Sequence, residues 1–555
     1  MQSFARCSIE ARRRAMATLA AGDGKMKKLA SALLFGTAAL AGPALAHAQS
    51  GTPDACHALT ALTSASLTID AAQIAPAGPL TLPFGPPGGM NIDLPEHCLV
   101  RGVLEPRTGV GGQRFGTGFE LRLPTTWNGR FLFQGGGGLD GAVRPAIGMG
   151  GFGQPAALAR GFAVVSTDAG HEGQDASFAA DQQARLDYAY QALGKVTVEA
   201  KQIIGRFYGR PARWSYFMGC SNGGRQGMMA AQRYPLEFDG IVAGDPGFRL
   251  SRAAVGELWD TAQLSKIAPK DGQGRPIISQ AFSDADLKLV ASAVLERCDG
   301  LDGLKDGLIN DVKACRFDSR VLTCKGAAND HCLTAQKVAV LRRIFSGARD
   351  SRGEPIYASW PFDAGISGRD WRNWKMGFSP KAEGVNQTMG LDSLRRYFAT
   401  PPDPTISPQT FDFDRAAAVT AQTGAINDPT STYLTSFVQH GGRLLIYQGV
   451  SDPVFSADDI MAWYDKLSQD AGPPQDWARL FLVPGMNHCQ GGPATDRFDA
   501  LAALQAWVED GAGPERLVAS GASFPGQTRP LCPYPKVARY SGGDKTSADS
   551  FSCSP

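Results

Sequence analysis

One stretch limits what this chain can fold into: Trp214-Ser-Tyr-Phe-Met-Gly-Cys-Ser-Asn-Gly-Gly-Arg-Gln-Gly-Met, centred on Ser221. The apolar, aromatic run up to Met218 has strand character. A helical pattern over 224–234 is closed by Pro235. Between them lies Gly219-Cys220-Ser221-Asn222-Gly223, a Gly-x-Ser-x-Gly turn. Strand, sharp turn and helix make a nucleophile elbow, in which a strained backbone lifts the serine hydroxyl clear of the sheet. The flanking glycines leave room for neighbouring backbone. In a chain with 66 glycines the pentapeptide is also compatible with an ordinary turn. The assignment therefore depends on partners elsewhere.

Two later strands supply them. Arg443-Leu-Leu-Ile-Tyr-Gln-Gly runs into Val450-Ser-Asp452-Pro, and Arg479-Leu-Phe-Leu-Val-Pro-Gly runs into Met486-Asn-His488-Cys489. Serine, then acid, then histidine is the chain order of the α/β-hydrolase fold. In it His488 takes the Ser221 proton, and Asp452 fixes the imidazole tautomer and stabilises its charged form. His440 precedes its strand, and Asp458 and Asp459 read as the start of a helix. Asp168 and His171 precede the serine and read as loop-shaping residues. Gly135-Gly-Gly-Gly138 follows the strand Arg130-Phe-Leu-Phe-Gln. Such a loop lets backbone N–H groups approach a developing oxyanion, with a flexible loop as the alternative.

The predicted architecture is α/β: an α/β-hydrolase core over 49–247 and 438–555, interrupted by a lid domain over 248–437. In the interruption the β-α alternation lapses, and Trp259, Trp360, Trp371 and Trp374 gather with four cysteines. Cys298-Asp-Gly-Leu-Asp-Gly-Leu-Lys-Asp-Gly-Leu sets Asp299, Asp302 and Asp306 among glycines. That composition suits calcium, a hard cation that takes oxygen ligands, though a solvated Asp/Gly turn has the same look.

Lys25-Met26-Lys27-Lys28, an apolar run over 29–45 and Ala46-His-Ala describe a secretory signal over 1–48, with Met26 a possible start. The run is short for a membrane anchor, so a secreted or periplasmic protein without a membrane partner is expected. A net charge of +2 gives no case for nucleic acid. Of 11 cysteines, losing Cys7 leaves ten, an even set that reads as disulfides in an exported chain. Chain neighbours suggest Cys298–Cys315, Cys324–Cys332 and Cys532–Cys553, while Cys56–Cys98 could tie down a loosely structured entry over 49–95. Cys220 and Cys489 flank Ser221 and His488. A bond between them would hold their Cα atoms within roughly 4.4–6.8 Å and bring nucleophile and base into reach.

These residues carry a family resemblance. Cys220-Ser221, Asp452 and His488-Cys489 match the CS-D-HC arrangement of the tannase and feruloyl esterase family, which the chain resembles from Cys56 to Cys553. Phe131-Leu-Phe-Gln-Gly-Gly, Phe207-Tyr-Gly-Arg, Leu482-Val-Pro-Gly-Met-Asn-His-Cys and Thr528-Arg-Pro-Leu-Cys-Pro-Tyr-Pro share in it. The resemblance implies all five disulfides above. It implies calcium on the side chains of Asp299, Asp302 and Asp306 and the carbonyls of Leu304 and Leu308. It also implies oxyanion donors at the N–H groups of Gly138 and Asn222, and substrate contacts at Trp374, Leu391 and Phe455.

Family members acting on mono(2-hydroxyethyl) terephthalate carry a glutamate where this chain has Asn222. They also carry a lid arginine with no clear equivalent in 383–396. The expectation is a monomeric serine carboxylesterase whose partner is a small aromatic ester of the feruloyl, gallate or hydroxybenzoate type. Hydrolysis of the terephthalate half-ester is the alternative. A non-catalytic, calcium-stabilised binding protein on a hydrolase scaffold is the reading from another class.

Overall fold

Apolar runs at 131–133, 163–165, 216–217, 241–243 and 444–446 are buried on both faces, as central parallel strands require. The structure, a computed structural model, describes residues 52–82, 90–149, 154–327 and 329–555; the leader expected over 1–48 lies outside them. Nine strands form the main sheet: β1 Leu67–Ala75, β2 His97–Thr108, β3 Arg114–Pro124, β4 Arg130–Gln134, β5 Ala163–Thr167, β6 Trp214–Cys220, β7 Gly240–Gly244, β8 Arg443–Gly449 and β9 Ala478–Val483. Their order is β1-β2-β3-β5-β4-β6-β7-β8-β9. The first three pairings are antiparallel. The five from β5 to β9 are parallel.

Successive side chains of a strand point to opposite faces, and here they enter two separate cores. Phe131, Phe133, Phe217 and Ile446 pack with Val196, Ile203 and Phe207 of helix α1, Ala192–Tyr208. Leu132, Tyr216, Val242 and Leu445 pack on the other face with Leu501, Leu504 and Trp507 of the helix Ala500–Asp510. The helix Gln182–Leu186 runs through a π turn over Asp187–Gln191 into α1. The helix after the elbow, α2, is Asn222–Arg233, and so begins two residues earlier than expected.

The described part of the entry, 52–82 and 90–95, is not loosely structured. It supplies edge strand β1 and the antiparallel pair Gly78–Leu82 and Met90–Leu94. A register shift between Ile69 and Ala71 breaks the alternation that would have marked β1 as a strand. All five expected disulfides are present. No helix among the described residues is long and apolar enough to cross a membrane.

Between β7 and β8 the chain leaves the sheet. This segment includes helix α3, Leu250–Leu264, and the helices Asp284–Cys298 and Ala335–Phe345, with a core of its own around Leu287, Val290, Leu341 and Trp371. Part of it joins a further cluster in which Val255, Leu258 and Tyr397 meet Leu139, Tyr188 and Phe455. That contact places the segment against loops at the carboxyl ends of the parallel strands, where open α/β sheets bind ligands.

Candidate active site

Ser221 stands between the end of β6 and the start of α2 with φ 65° and ψ −125°. A non-glycine residue in that region is strained, and such strain persists where the surroundings over-determine it. Two glycines make the turn possible. A Cβ on Gly219 would lie 2.8 Å from Gly223 backbone, and one on Gly223 would lie 2.6 Å from the Gly136 carbonyl oxygen. The serine N–H donates to Gly244 at the end of β7, pinning the elbow to the next strand.

The loops after β8 and β9 bring the two predicted partners to this serine. His488 Nε2 is 2.8 Å from Ser221 Oγ, and His488 Nδ1 is 2.9 Å from Asp452 Oδ2. Asp452 Oδ1 accepts the backbone N–H groups of Val454 and Phe455, at 2.7 and 3.1 Å. Burial pulls the His488 pKa down. The charge and hydrogen bond of Asp452 together outweigh it, so the imidazole titrates above its ordinary value of 6.5. Cys220 and Cys489 are bonded with their Cα atoms 6.0 Å apart. The rivals lie elsewhere: Asp458 and Asp459 in the first turn of the helix Ala457–Ala471, and His440 beside Asp239 before β8.

The glycine loop after β4 is held, not free. Gly138 has φ 59°, its carbonyl accepts from the Tyr188 hydroxyl at 3.2 Å, and the Leu139 carbonyl is 2.9 Å from His171 Nε2. Asp168 accepts the N–H groups of Gly118 and Gly170, so both early candidates shape loops. The N–H groups of Gly138 and Asn222 have no hydrogen-bond partner among the described residues. Both are available to an oxyanion, and the second opens a helix, whose N-terminus favours negative charge. The Asn222 side chain is committed elsewhere: its amide donates to Asp140 at 2.6 Å and accepts from Arg225 at 2.6 Å.

Two aromatic rings flank the imidazole edge-on, Trp374 at 5.3 Å and Phe455 at 5.4 Å between centroids. Leu391 packs in the same cluster, together with Met389. Met389 Sδ would lie 3.6 Å from a Cβ on Gly138. The three residues expected to meet substrate are thus gathered at one end of the sheet. Arg395 donates to the Ile406 carbonyl and Arg396 pairs with Asp392. Sequence reasoning missed Met389, Asp140 and Asp245. The last two have positive φ (46° and 36°), a conformation that Asp tolerates but does not announce.

In the Asp-rich loop the ligand set is only partly gathered. Asp299 accepts from Asp306 and Gly307 N–H groups, Asp302 from Leu304 N–H and the Asn310 amide, and Asp306 from Arg529. The Leu304 and Leu308 carbonyls accept no hydrogen bond among the described residues. Burial pushes Asp302 up to about 6, and repulsion from Asp306 and Asp299 adds to it. Hard oxygen donors and mutual repulsion suit a divalent cation such as calcium. The three carboxylates, however, are not drawn within 4.8 Å of one another.

A strained serine, an imidazole, a buried acid and two unengaged N–H groups at the carboxyl end of a mixed sheet define a carboxylic ester hydrolase of α/β-hydrolase architecture. Comparison with known proteins agrees and goes further. The family model "Tannase and feruloyl esterase" matches residues 98–554, and the chain belongs to that family. It is 42% identical to the mono(2-hydroxyethyl) terephthalate hydrolase of Piscinibacter sakaiensis over 83% of this chain and 85% of that protein. It is 30% identical to a probable feruloyl esterase of Arthroderma benhamiae, over 78% and 81%. Feruloyl esterase B from Aspergillus oryzae superposes with TM-score 0.77 at 24% identity, covering 90% of this chain and all of that one, a likeness of fold.

Proposed function

We propose that this protein is an exported serine esterase that hydrolyses esters of aromatic acids through an acyl-enzyme. The observation that carries the reading is the continuous hydrogen-bonded chain Ser221–His488–Asp452 at 2.8 and 2.9 Å. Ser221 Oγ attacks the ester carbonyl and gives its proton to His488 Nε2. The carbonyl oxygen takes the electron pair and rests on the N–H groups of Gly138 and Asn222. Collapse expels the alcohol, which His488 protonates. Water deprotonated by His488 then releases the acid and restores the serine. One chain supplies every group in this sequence, so we propose that it works as a monomer.

The segment 248–437 acts as the lid, with Trp374, Leu391 and Phe455 forming an apolar slot for the ring. Arg395 and Arg396 are engaged in the lid's own contacts, and Lys375 is buried and paired with Asp260 at 2.5 Å. Those pairings favour a neutral or phenolic ring: a ferulate, gallate or hydroxybenzoate ester. The 42% identity to a mono(2-hydroxyethyl) terephthalate hydrolase supports that half-ester as the second reading. A panel of methyl ferulate, methyl gallate and the terephthalate half-ester decides between them by kcat/KM. Labelling by a fluorophosphonate tests the chemistry itself; a chain that takes no label would be a binding protein on an inactive scaffold. Five disulfides support export.

The pH profile follows from His488. Catalysis needs the neutral imidazole, whose pKa is raised by Asp452 against the pull of burial. The kcat/KM curve is expected to fall as pH drops through a value above 6.5, the ordinary pKa of histidine. An acid limb centred below 6.5 would contradict the assigned pair.

We also propose that Asp299, Asp302, Asp306 and the carbonyls of Leu304 and Leu308 hold a structural calcium, which would supply charge balance to the loop and take no part in the reaction. Chelation is expected to lower Tm by roughly 3–10 °C, with calcium restoring it and magnesium failing to. An unchanged melt in chelator would remove the site.

A further inference from the structure

Behind the acid of the proposed triad stands a second carboxylate that the mechanism above does not use. Asp245 follows β7 with φ 36°, and its side chain is wholly buried. Its Oδ1 accepts the Gly449 N–H at 2.7 Å and the Gln448 Nε2 at 3.1 Å. Its Oδ2 lies 3.7 Å from Cys220 Sγ, against the disulfide. Oxygens of Asp245 and Asp452 and a nitrogen of His488 fall within 4.8 Å of one another.

We propose that Asp245 is a positioning residue that remains a neutral carboxylic acid and donates its O–H to Asp452, orienting the carboxylate that holds His488. Hydrogen-bond counting points the same way. Gln448 Nε2 lies 3.0–3.3 Å from four acceptors: Asp245 Oδ1, Asp452 Oδ2 and the carbonyls of Gly449 and Phe455. An amide nitrogen has two hydrogens, so two of those contacts are unserved. Turning the amide over would aim its oxygen at the same four acceptors. A proton on Asp245 converts one crowded acceptor into a donor and removes the repulsion between two buried carboxylates. Burial, followed by the Asp452 charge, drives the Asp245 pKa well above the carboxylate range.

Other ionisable groups face the pair. Tyr447 on β8 is itself shifted upward by burial and then by Asp245. Asp370 adds negative potential at His488, whereas burial pushes Glu257 on α3 up to about 8 and leaves it largely uncharged beside Asp452 near neutral pH. The cation facing the pair is His488 when it takes the serine proton. During acylation that proton moves from Ser221 Oγ to His488 Nε2, while the Asp245 proton stays on its oxygen. The array then carries one negative charge opposite one imidazolium.

The inference rests on the serine-esterase reading, so the wild-type protein is first labelled with a fluorophosphonate. Failure to label would sink that reading, whereas successful labelling leaves Asp245 to be judged by its own variants. Asp245→Gly suits the positive φ and deletes the carboxyl. Asp245→Asn suits it too and keeps a neutral donor. In Asp245→Gly, kcat for a p-nitrophenyl aromatic ester is expected to fall roughly 10–100-fold, the loss of one hydrogen bond to a charged group. Its acid limb should move to higher pH, because Asp452 becomes more basic toward His488. Asp245→Asn should recover most of that kcat and return the limb toward wild type. Melting curves establish that both variants are folded at the assay temperature. A limb displaced to lower pH by about one unit in either variant would mean that Asp245 carried a charge, and would overturn the proposal. Wild-type rates in both, or equal losses in both with an unmoved limb, would overturn it as well.

Discussion

Ser221→Ala is expected to reduce kcat on a feruloyl or p-nitrophenyl ester by roughly 10⁴–10⁶-fold while leaving the melting curve near that of the parent. That corresponds to about 5–8 kcal/mol of lost transition-state stabilisation. The size follows from what disappears. Without Oγ there is no nucleophile for His488 to activate, and what remains is the proposed oxyanion pair at Gly138 and Asn222 and the proposed apolar slot. The fold should survive, and alanine at φ 65° keeps the same backbone requirement as serine. Burst-phase release of p-nitrophenol by the parent, absent in the variant, reports the acyl-enzyme directly. A variant that retains turnover would mean that the hydrogen-bonded chain at 2.8 and 2.9 Å has another purpose.

Replacing Cys220 and Cys489 by serine together is expected to cost about 10²–10³-fold in kcat at a temperature where the protein is still folded. The bond joins residues 269 apart, with Cα atoms 6.0 Å from each other, and each half-cystine is the immediate neighbour of a proposed catalytic residue. Near-attack geometry tolerates little error; displacement by about 1 Å is enough for a 10²-fold loss. The same bond restricts the unfolded chain and contributes roughly 2–5 kcal/mol to stability, so Tm should also fall. The diagnostic is the order of events. Activity lost well below the melting transition assigns the bond a positional role, and activity lost only with melting assigns it to stability alone. Selective reduction of this bond in the parent should reproduce the variant.

Much of this was legible in one dimension because each feature has a local cause. The elbow at Ser221 is a strand, a glycine-flanked turn and a helix within about twenty residues. Asp452 and His488 each follow a run of buried residues that marks a central strand, and the fold fixes their order. The cysteine positions beside Ser221 and His488 made a bond between them an economical reading. Other features had no local cause. Edge strand β1 was hidden by a register shift, since an extra residue inverts the alternation from which strands are read. The start of α2 was misplaced by two residues because glycines in the first turn look like loop.

The chain by itself determined the α/β class and the order of its serine, acid and histidine candidates, because periodicity and spacing carry that information; the full pairing of its cysteines came from the family resemblance. The tertiary structure alone decided which groups face each other across distant loops. It set Trp374 and Phe455 edge-on to the imidazole, committed the Asn222 side chain to Asp140 and Arg225, and brought carboxylate oxygens of Asp245 and Asp452 within 4.8 Å of each other. Such contacts join residues up to hundreds of positions apart, and depend on where a whole sheet and its insertion put their loop ends. No local pattern of residue types encodes that, because side-chain direction at a loop end is set by backbone angles that only the packed whole enforces.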